Sequence, residues 1–560
     1  MAADNGKLSG WRLFRAAMSN RKMAIMLIFG FSSGLPNVLL LGTLYAWLGE
    51  EQVDLETMGV FSLIGLAYAF KFLWSPAVDR IALPVLHHLG RRRGWLLPIQ
   101  LLLACSFILL SRLDPGSYLG WFSLIAGICA FASATQDIVV DAWRVDVADE
   151  RATLEIMSAV YQLGYRVATL VGGALALVLA ARIGWPQVYL AMGVAMFAAV
   201  LATLWAPDTP RPSAANGSTG AKMHENLPPA IRNVAVIIVG LAWAWAIVSV
   251  IHFMAQSLTA TPELRPDATA FIRVTGPFIV IATVLVPAII AAILNGMSQG
   301  RDGLPVAEKL SHQGALRNFL SHAYEALLMP LAEIVGRLRW GAMIALGIIL
   351  TYRLTDSVWG PFALPFYLQE LGYTNDQVAI ASKFFGVGMT MLGITMGALL
   401  FVWAGRLLTL LLGAILAAAT NLLYADLALG GAAIDIFGQL SGFYWAAAHF
   451  GADERFARLL IAIAGENLAG GIAGAAFVAY LSSITSKAYS AVQYALLSSL
   501  TFLVGALGRG AIGEAIARDG YAPVFVFAAA LGLIAIILCL VEWLRHGWKT
   551  MRGRPAKVAD

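Results

Sequence analysis

The sequence predicts an all-α polytopic membrane protein of about 14 spans, arranged as two six-helix bundles with two additional transmembrane helices between them. Three observations lead there: an apolar composition, apolar stretches of about 20 residues throughout the chain, and a faint repeat between its two ends. Of the 560 residues, 59% are hydrophobic and 13% charged, and the mean hydropathy is +0.75. A soluble protein carries about 25% charge, so disordered, fibrous and nucleic-acid-binding classes are excluded. The net charge of +5 is meaningful only loop by loop. Cys105, Cys129 and Cys539 fall in apolar runs without C-x-x-C spacing, which argues against a disulfide framework or a zinc site. No metal or cofactor is expected.

Residues 1–21 form an amphipathic, basic N-terminus with Lys7, Arg12, Arg15 and Arg21. The apolar run that follows is too long for a signal-peptide core and lacks a small-x-small cleavage site, so it reads as an uncleaved first span. Further spans are expected near 57–79, 94–111, 118–141, 155–181 and 186–206, completing an N-terminal bundle over 22–206. A Pro-, Ser-, Asn- and Gly-rich linker at 207–230 precedes two extra helices within 231–296. Residues 297–337 begin polar and then place Leu316, Phe319, Leu320, Tyr324, Leu327, Leu328 and Leu331 at helical spacing, predicting a helix on the inner membrane surface. The C-terminal bundle covers 338–545, with spans near 338–369, 377–404, 406–427, 457–484, 488–508 and 521–544, and a basic tail fills 546–560. The apolar stretch at 434–448 is too short to cross and reads as interfacial.

Lys and Arg are retained on the cytoplasmic side. With the N-terminus inside, 26 of the 38 basic residues fall in inner segments and seven in outer ones, so both termini are expected in the cytoplasm. The remaining five, Lys71, Arg166, Arg273, Arg353 and Lys383, lie within spans. Each costs at least about 2.5 kcal/mol in hydrocarbon, so each should face protein or a water-filled cavity. Arg273, one turn inside its helix, can snorkel to the interface.

The repeat relates the end of the first span, Ala46 to Glu50, to Phe366 to Glu370, and Ser158-Ala159-Val160 to Ser490-Ala491-Val492. Two six-span halves shifted in one orientation are the trace of a parallel repeat. This is the architecture of the major facilitator transporters, which hold substrate near the midplane between the halves.

The charged motifs lie on this frame. Asp79 and Arg80 close the second span, and Gly90-Arg91-Arg92-Arg93-Gly94 opens the third; an acid and a basic cluster at an inner loop can exchange partners when two bundles rock. Asp137, Asp141 and Arg144 stand at i, i+4 and i+7 on one helix face, with Asp146 just beyond. Asp137 sits deep enough to require a cation, Arg166 being a candidate, or a proton. Arg353 and Asp356 are spaced i and i+3, so they can neutralise each other. The glycines of Gly465 to Gly471 suit a close helix contact better than a phosphate cradle, since no strand precedes them.

Together these residues resemble the AmpG-type muropeptide permeases. The resemblance rests on Gly34-Leu35-Pro36, Lys71 to Pro76, Arg91 to Trp95, Gln136 to Asp146, Gly164-Tyr165-Arg166, Tyr352 to Asp356, Ser382-Lys383, Glu466 to Gly471 and Gln493 to Ser499. The run Gln136 to Asp146 is also similar to acetyl-CoA transporters. Membership implies a bacterial inner-membrane importer that uses the proton gradient to carry anhydro-sugar muropeptides, GlcNAc-anhydroMurNAc with or without peptide, from periplasm to cytoplasm for peptidoglycan recycling. It also implies an indirect part in β-lactamase induction.

The chemistry fits such a cargo. Lys71, Arg166 and Lys383 suit an anionic head, and Arg binds a carboxylate in two-point fashion. Tyr161, Tyr165, Trp359 and Tyr494 offer aromatic faces to sugar rings, with Glu466, Asn467 and Gln493 as polar contacts. Asp137 and Asp356, the latter with Arg353, are the expected proton-coupling residues. Asp79, Arg80, Arg91, Arg92, Arg93, Asp141, Arg144 and Asp146 are the expected gate. The expected partners are an anionic sugar-peptide, protons and the lipid bilayer, with no nucleic acid and a monomeric chain. Competing readings are a carrier of acyl-CoA or a drug on the same fold, and a membrane-integral transferase. Buried cations argue against a drug carrier, and the eight histidines show no catalytic spacing.

Overall fold

In lipid only a helix satisfies the backbone of a lone apolar segment, and helices dominate the computed structural model. It describes residues 18–51, 63–81, 86–207, 228–259, 266–299, 323–338, 340–355 and 362–552, with single positions 11, 15, 16, 53 and 83. The first half comprises α1 (Arg21–Glu50), α2 (Leu63–Ala69), α3 (Ser75–Arg80), α4 (Arg93–Leu110), α5 (Leu119–Val147), α6 (Leu154–Ile183) and α7 (Trp185–Trp205). Between the halves lie α8 (Pro229–Thr259), α9 (Ala268–Val274), α10 (Gly276–Met297) and α11 (Tyr324–Leu338). The second half holds α12 (Gly341–Thr351), α13 (Asp376–Ala404), α14 (Arg406–Ala428), α15 (Ala432–Leu440), α16 (Phe443–His449), α17 (Glu454–Ile484), α18 (Ser490–Asp519) and α19 (Tyr521–Arg552).

Eleven helices among the described residues are long and apolar enough to cross a membrane, or twelve if α11 and α12, a bent pair, form one span. The difference from fourteen has a local cause in the second span. Pro76 has no N–H, and its ring would clash with the carbonyl of Phe72 inside a helix. The chain there makes a 3-10 turn, Lys71–Leu73, and restarts as α3 with Pro76 in its first turn. The ninth expected span passes through residues outside those described, and the thirteenth lies within the 30-residue α18. The proposed surface helix is described only from residue 323 onward, and there it is drawn inward: Tyr324, Leu328, Met329, Leu331 and Glu333 are buried, because α11 packs on α10 and α18. Arg273 lies in α9 and is exposed.

Side-chain caps start several helices. Thr153 caps α6, Asp453 caps α17, and Thr374 with Gln377 forms a capping box ahead of α13. Glycine allows the closest crossings. A Cβ on Gly164 would lie 2.1 Å from the Leu27 carbonyl oxygen, which brings α6 against α1 backbone to backbone, and one on Gly471 would lie 2.3 Å from the Thr390 oxygen, where α17 meets α13.

The halves meet along two seams. On one, α6 packs on α13 and α17; on the other, α18 packs on α5 and α3. Each seam thus pairs the fifth span of one half with the second and fourth of the other, as a parallel repeat requires. The inserted helices flank the second seam: α9 and α10 touch α18, while Phe271 and Trp243 pack edge-to-face against Phe70 and Phe72 respectively.

Candidate functional site

Where α6 approaches α17 and α18, a cavity of about 310 Å³ separates the halves. This is at the small end of the ~300–1,000 Å³ range of ligand pockets. Among the described residues its charged lining is two guanidiniums, Arg166 from the first half and Arg353 from the second, with no carboxylate. Gln162, Tyr494, Ser498 and Thr501 add polar groups. Gly470, Gly471 and Gly474 bare the α17 backbone on one wall. The Arg166 Nε is buried with no hydrogen-bond partner among the described residues, so this cavity holds an unsatisfied donor on a cationic group.

Beneath the cavity, Arg144 is fully buried between two rings, its guanidinium carbon 5.0 Å from the Tyr161 centroid and 5.1 Å from that of Tyr494. Such stacking stabilises a desolvated guanidinium by about 2 kcal/mol. Arg144 also donates to Asp141 at 2.9 Å and to the Ser482 hydroxyl at 3.2 Å. Tyr494 and Ser482 belong to the second half, so this residue ties the halves as well as closing the cavity floor. About two helical turns from Arg144, Asp137 meets a cation, as its depth demands. The cation is Lys71, at 3.9 Å, rather than Arg166. Lys71 is buried in the 3-10 turn, and the second Asp137 oxygen has no hydrogen-bond partner among the described residues.

The expected gate residues converge at the end of the bundle beyond Arg144. Arg91 and Arg92 donate to Asp79 at 2.6 and 2.8 Å, and Arg92 donates to Asp146 at 2.8 Å. This cluster grips the start of α18. The Val492 backbone N–H donates to Asp79 at 2.9 Å, Arg92 donates to the Ser490 hydroxyl at 2.7 Å, and that hydroxyl donates to Asp146 at 2.8 Å. The first N–H groups of a helix lack intrahelical partners and sit at its positive end, so a carboxylate there is doubly favoured. Burial and the neighbouring Arg92 charge lower the Arg91 pKa. Burial acts downward on Arg92 too, but Asp146 and Asp79 carry it above the ordinary arginine value. On the other seam Arg406, opening α14, pairs with Glu155 in the first turn of α6 at 3.2 Å. Arg80 extends to Glu325 at 2.8 Å, and Arg93 donates to the Leu204 carbonyl. At this end the two halves are locked together.

Other candidates lie elsewhere. Gln493 is buried away from the cavity lining, donating to the Pro330 carbonyl and to Glu333, each at 2.8 Å. Asn467 accepts from Thr390 at 2.9 Å and fastens α17 to α13. Glu466 accepts a hydrogen bond from the Tyr424 hydroxyl. Tyr165 is partly buried, its ring 6.4 Å from that of Tyr161. Lys383 is exposed on α13 and absent from the cavity lining. Asp356 and Trp359 lie outside the described residues. Ser482, Ser498, Thr501 and the Arg406–Glu155 pair were not foreseen; hydroxyls recur in most spans, so only packing singles these out.

A family model described as acetyl-coenzyme A transporter 1 matches residues 22–120, which stops short of the Gln136 to Asp146 run. The anhydromuropeptide permease of Escherichia coli K12 is 30% identical over 527 residues, covering 93% of this chain and 79% of that protein. A Rickettsia conorii transporter named AmpG 4 is 26% identical, covering 92% and 94%. Among solved structures, the proton:xylose symporter XylE bound to 6-bromo-6-deoxy-D-glucose superposes with a TM-score of 0.51 at 12% identity, covering 94% of each chain. A POT family transporter in complex with 5-aminolevulinic acid gives 0.50 at 13% identity, covering 94% and 96%. These likenesses establish the major facilitator fold.

Proposed function

Since the chain belongs to the AmpG family of permeases and has the major facilitator fold, and is therefore a multi-pass membrane transporter rather than an enzyme, we propose that it imports anhydro-sugar muropeptides by proton-coupled alternating access. The observation that carries the cargo is the cavity between the halves, lined by one guanidinium from each half and, among the described residues, by no carboxylate. A sugar bearing several carboxylates supplies an acceptor for the buried Arg166 donor, and Arg can take a carboxylate through two parallel bonds. Tyr494 and the bare glycine wall give flat surfaces for sugar rings. The E. coli relative named for anhydromuropeptide supports the same cargo.

Transport follows from the lock at one end of the halves. With basic loops in the cytoplasm, the Asp79–Arg92–Asp146 cluster lies on the inner side and this conformation is closed inward. Cargo binding between Arg166 and Arg353 draws the outer ends of the halves together, and the inner lock releases. Asp137 and Lys71 form the inner coupling pair: a carboxyl in this position can exchange its cation for a proton as the halves move. A place in peptidoglycan recycling, and through it in β-lactamase induction, follows from such a cargo.

The test is uptake of labelled anhydro-muropeptide by oriented inner-membrane vesicles. Wild type is expected to accumulate label, a protonophore to abolish accumulation, and Arg166→Ala or Arg353→Ala to lower uptake about 10- to 100-fold, the loss of a charge-assisted pair. Unchanged uptake in both variants would overturn the assignment of the cavity.

A further inference from the structure

On the outer side of the cavity, a chain of hydroxyls ends on a carboxylate. The Tyr367 and Tyr424 hydroxyls are 2.8 Å apart, either able to donate, and Tyr424 donates to Glu466 Oε2. Tyr424 is fully buried and Tyr367 nearly so, so neither is an interfacial anchor. Tyr367 lies in the turn Phe366–Glu370 that leads into the outer loop, while Gly470, one turn past Glu466, lines the cavity. The chain therefore runs from the outer end of the second half to within about 6 Å of helix rise from the cargo site.

Depth separates this carboxyl from Asp137. Glu466 lies twelve residues from the start of α17, about 18 Å, and Asp137 eighteen residues from the start of α5, about 27 Å, each measured from the outer end. With the inner lock closed, Glu466 is the carboxyl nearer the outer aqueous phase. Among the described residues, the titratable and charged side chains on the elements around α17 at this level include Tyr424 on α14 and Tyr367 on the turn, Lys383 on α13, and Arg166 on α6 with Arg353 beyond α12 at the cavity.

Building on the proton-coupled reading above, we propose that Glu466 is the carboxyl that takes up the transported proton from the outer side, with Tyr424 and Tyr367 as its relay. The step balances: the Tyr424 O–H proton moves to Glu466 Oε2, Tyr424 takes the Tyr367 proton, and Tyr367 takes one from water. Both tyrosines end unchanged, one proton is consumed, and Glu466 passes from −1 to neutral. Neutral Glu466 removes a negative charge one helical turn from the cavity wall at Gly470, so an anionic cargo binds more tightly in the protonated state; release of the proton inward restores the negative charge and favours cargo release. This links the two fluxes through a single charge.

The experiment uses the full chain in liposomes with labelled GlcNAc-anhydroMurNAc. Two assays run in parallel: exchange at equal pH on both sides, and accumulation driven by an inward proton gradient. Glu466→Gln, which mimics the protonated form, is expected to exchange within about 3-fold of wild type and to lose accumulation above equilibrium. Tyr424→Phe and Tyr367→Phe are expected to slow accumulation about 10-fold with exchange retained. Wild type that ignores the gradient overturns the coupling reading itself. If wild type accumulates and Glu466→Gln does too, only this inference falls. It falls as well if Glu466→Gln loses exchange while its thermal stability in detergent matches wild type. If that variant unfolds, the tyrosine variants decide, and wild-type accumulation rates in both overturn the relay.

Discussion

The Ser490 hydroxyl offers a clean way to weaken the inner lock. It accepts from Arg92 and donates to Asp146, at 2.7 and 2.8 Å, across the seam between the halves. Ser490→Ala deletes both contacts, yet Arg92 and Asp146 still satisfy each other at 2.8 Å, so no buried charge is orphaned and the fold should survive. A hydrogen bond to a charged group contributes about 1.5–3 kcal/mol. Two such bonds sharing one hydroxyl do not add fully, which leaves a loss of about 2–4 kcal/mol in the preference for the closed state. At 1.4 kcal/mol per tenfold, the inward-open population rises between about 30-fold and several hundredfold. The assay is the labelling rate of Ser498→Cys, which lines the cavity, by an impermeant maleimide applied from the lock side. The background carries Cys105→Ser, since Cys105 is exposed whereas Cys129 and Cys539 are buried. A rate that stays at the Ser490 level in Ser490→Ala, and also in Asp79→Asn, would refute the reasoning, because the cluster would then hold the first half together without gating.

Three further outcomes are expected. Lys71→Met strands Asp137 without its cation, an uncompensated buried charge that costs about 3–5 kcal/mol; the melting temperature in detergent should fall, and Lys71→Met with Asp137→Asn should restore it. Gly164→Ala sets a methyl 2.1 Å from the Leu27 oxygen and should destabilise by at least about 1–3 kcal/mol, while Gly240→Ala, with nothing within 4 Å, should melt like wild type. Asp435 in the outer segment is held below the usual carboxylate range, first by its hydrogen bonds from Arg458 and then by Tyr444. A depressed folded value contributes stability that is present above the unfolded pKa and lost as pH falls through the folded one. Hydrogen-exchange protection over 432–449, corrected for the intrinsic rate at each pH, should therefore fall on acidification, and Asp435→Asn should flatten that dependence.

Depth was legible in the sequence and direction was not. Counting residues from a span's end places Arg166, Arg353, Lys71 and Lys383 inside the membrane, and the cost of charge there singles them out. The angle about each helix axis comes only from packing. Arg166 and Arg353 turn to the cavity, Lys71 turns to Asp137, and Lys383 is exposed. Gln493 and Tyr494 show the same limit at its sharpest. Adjacent residues on a helix diverge by about 100°, so Tyr494 lines the cavity while Gln493 reaches α11. The Asp79–Arg91–Arg92–Asp146 cluster was more readable because most of its residues lie together in sequence at loop ends, where positive charge and glycine mark the turn. Its counterpart on α18 was less so, and the Tyr367–Tyr424–Glu466 chain, drawn from three separate elements, left no local signature at all.

One contact in the inner lock has an unusual relation to the genetic text. Asp79 reads the Val492 peptide N–H, not its side chain. Every residue except proline supplies that N–H, so the contact itself is indifferent to the side chain at 492, which is buried and answers to packing alone. What the lock must inherit there is a helix beginning, not a letter.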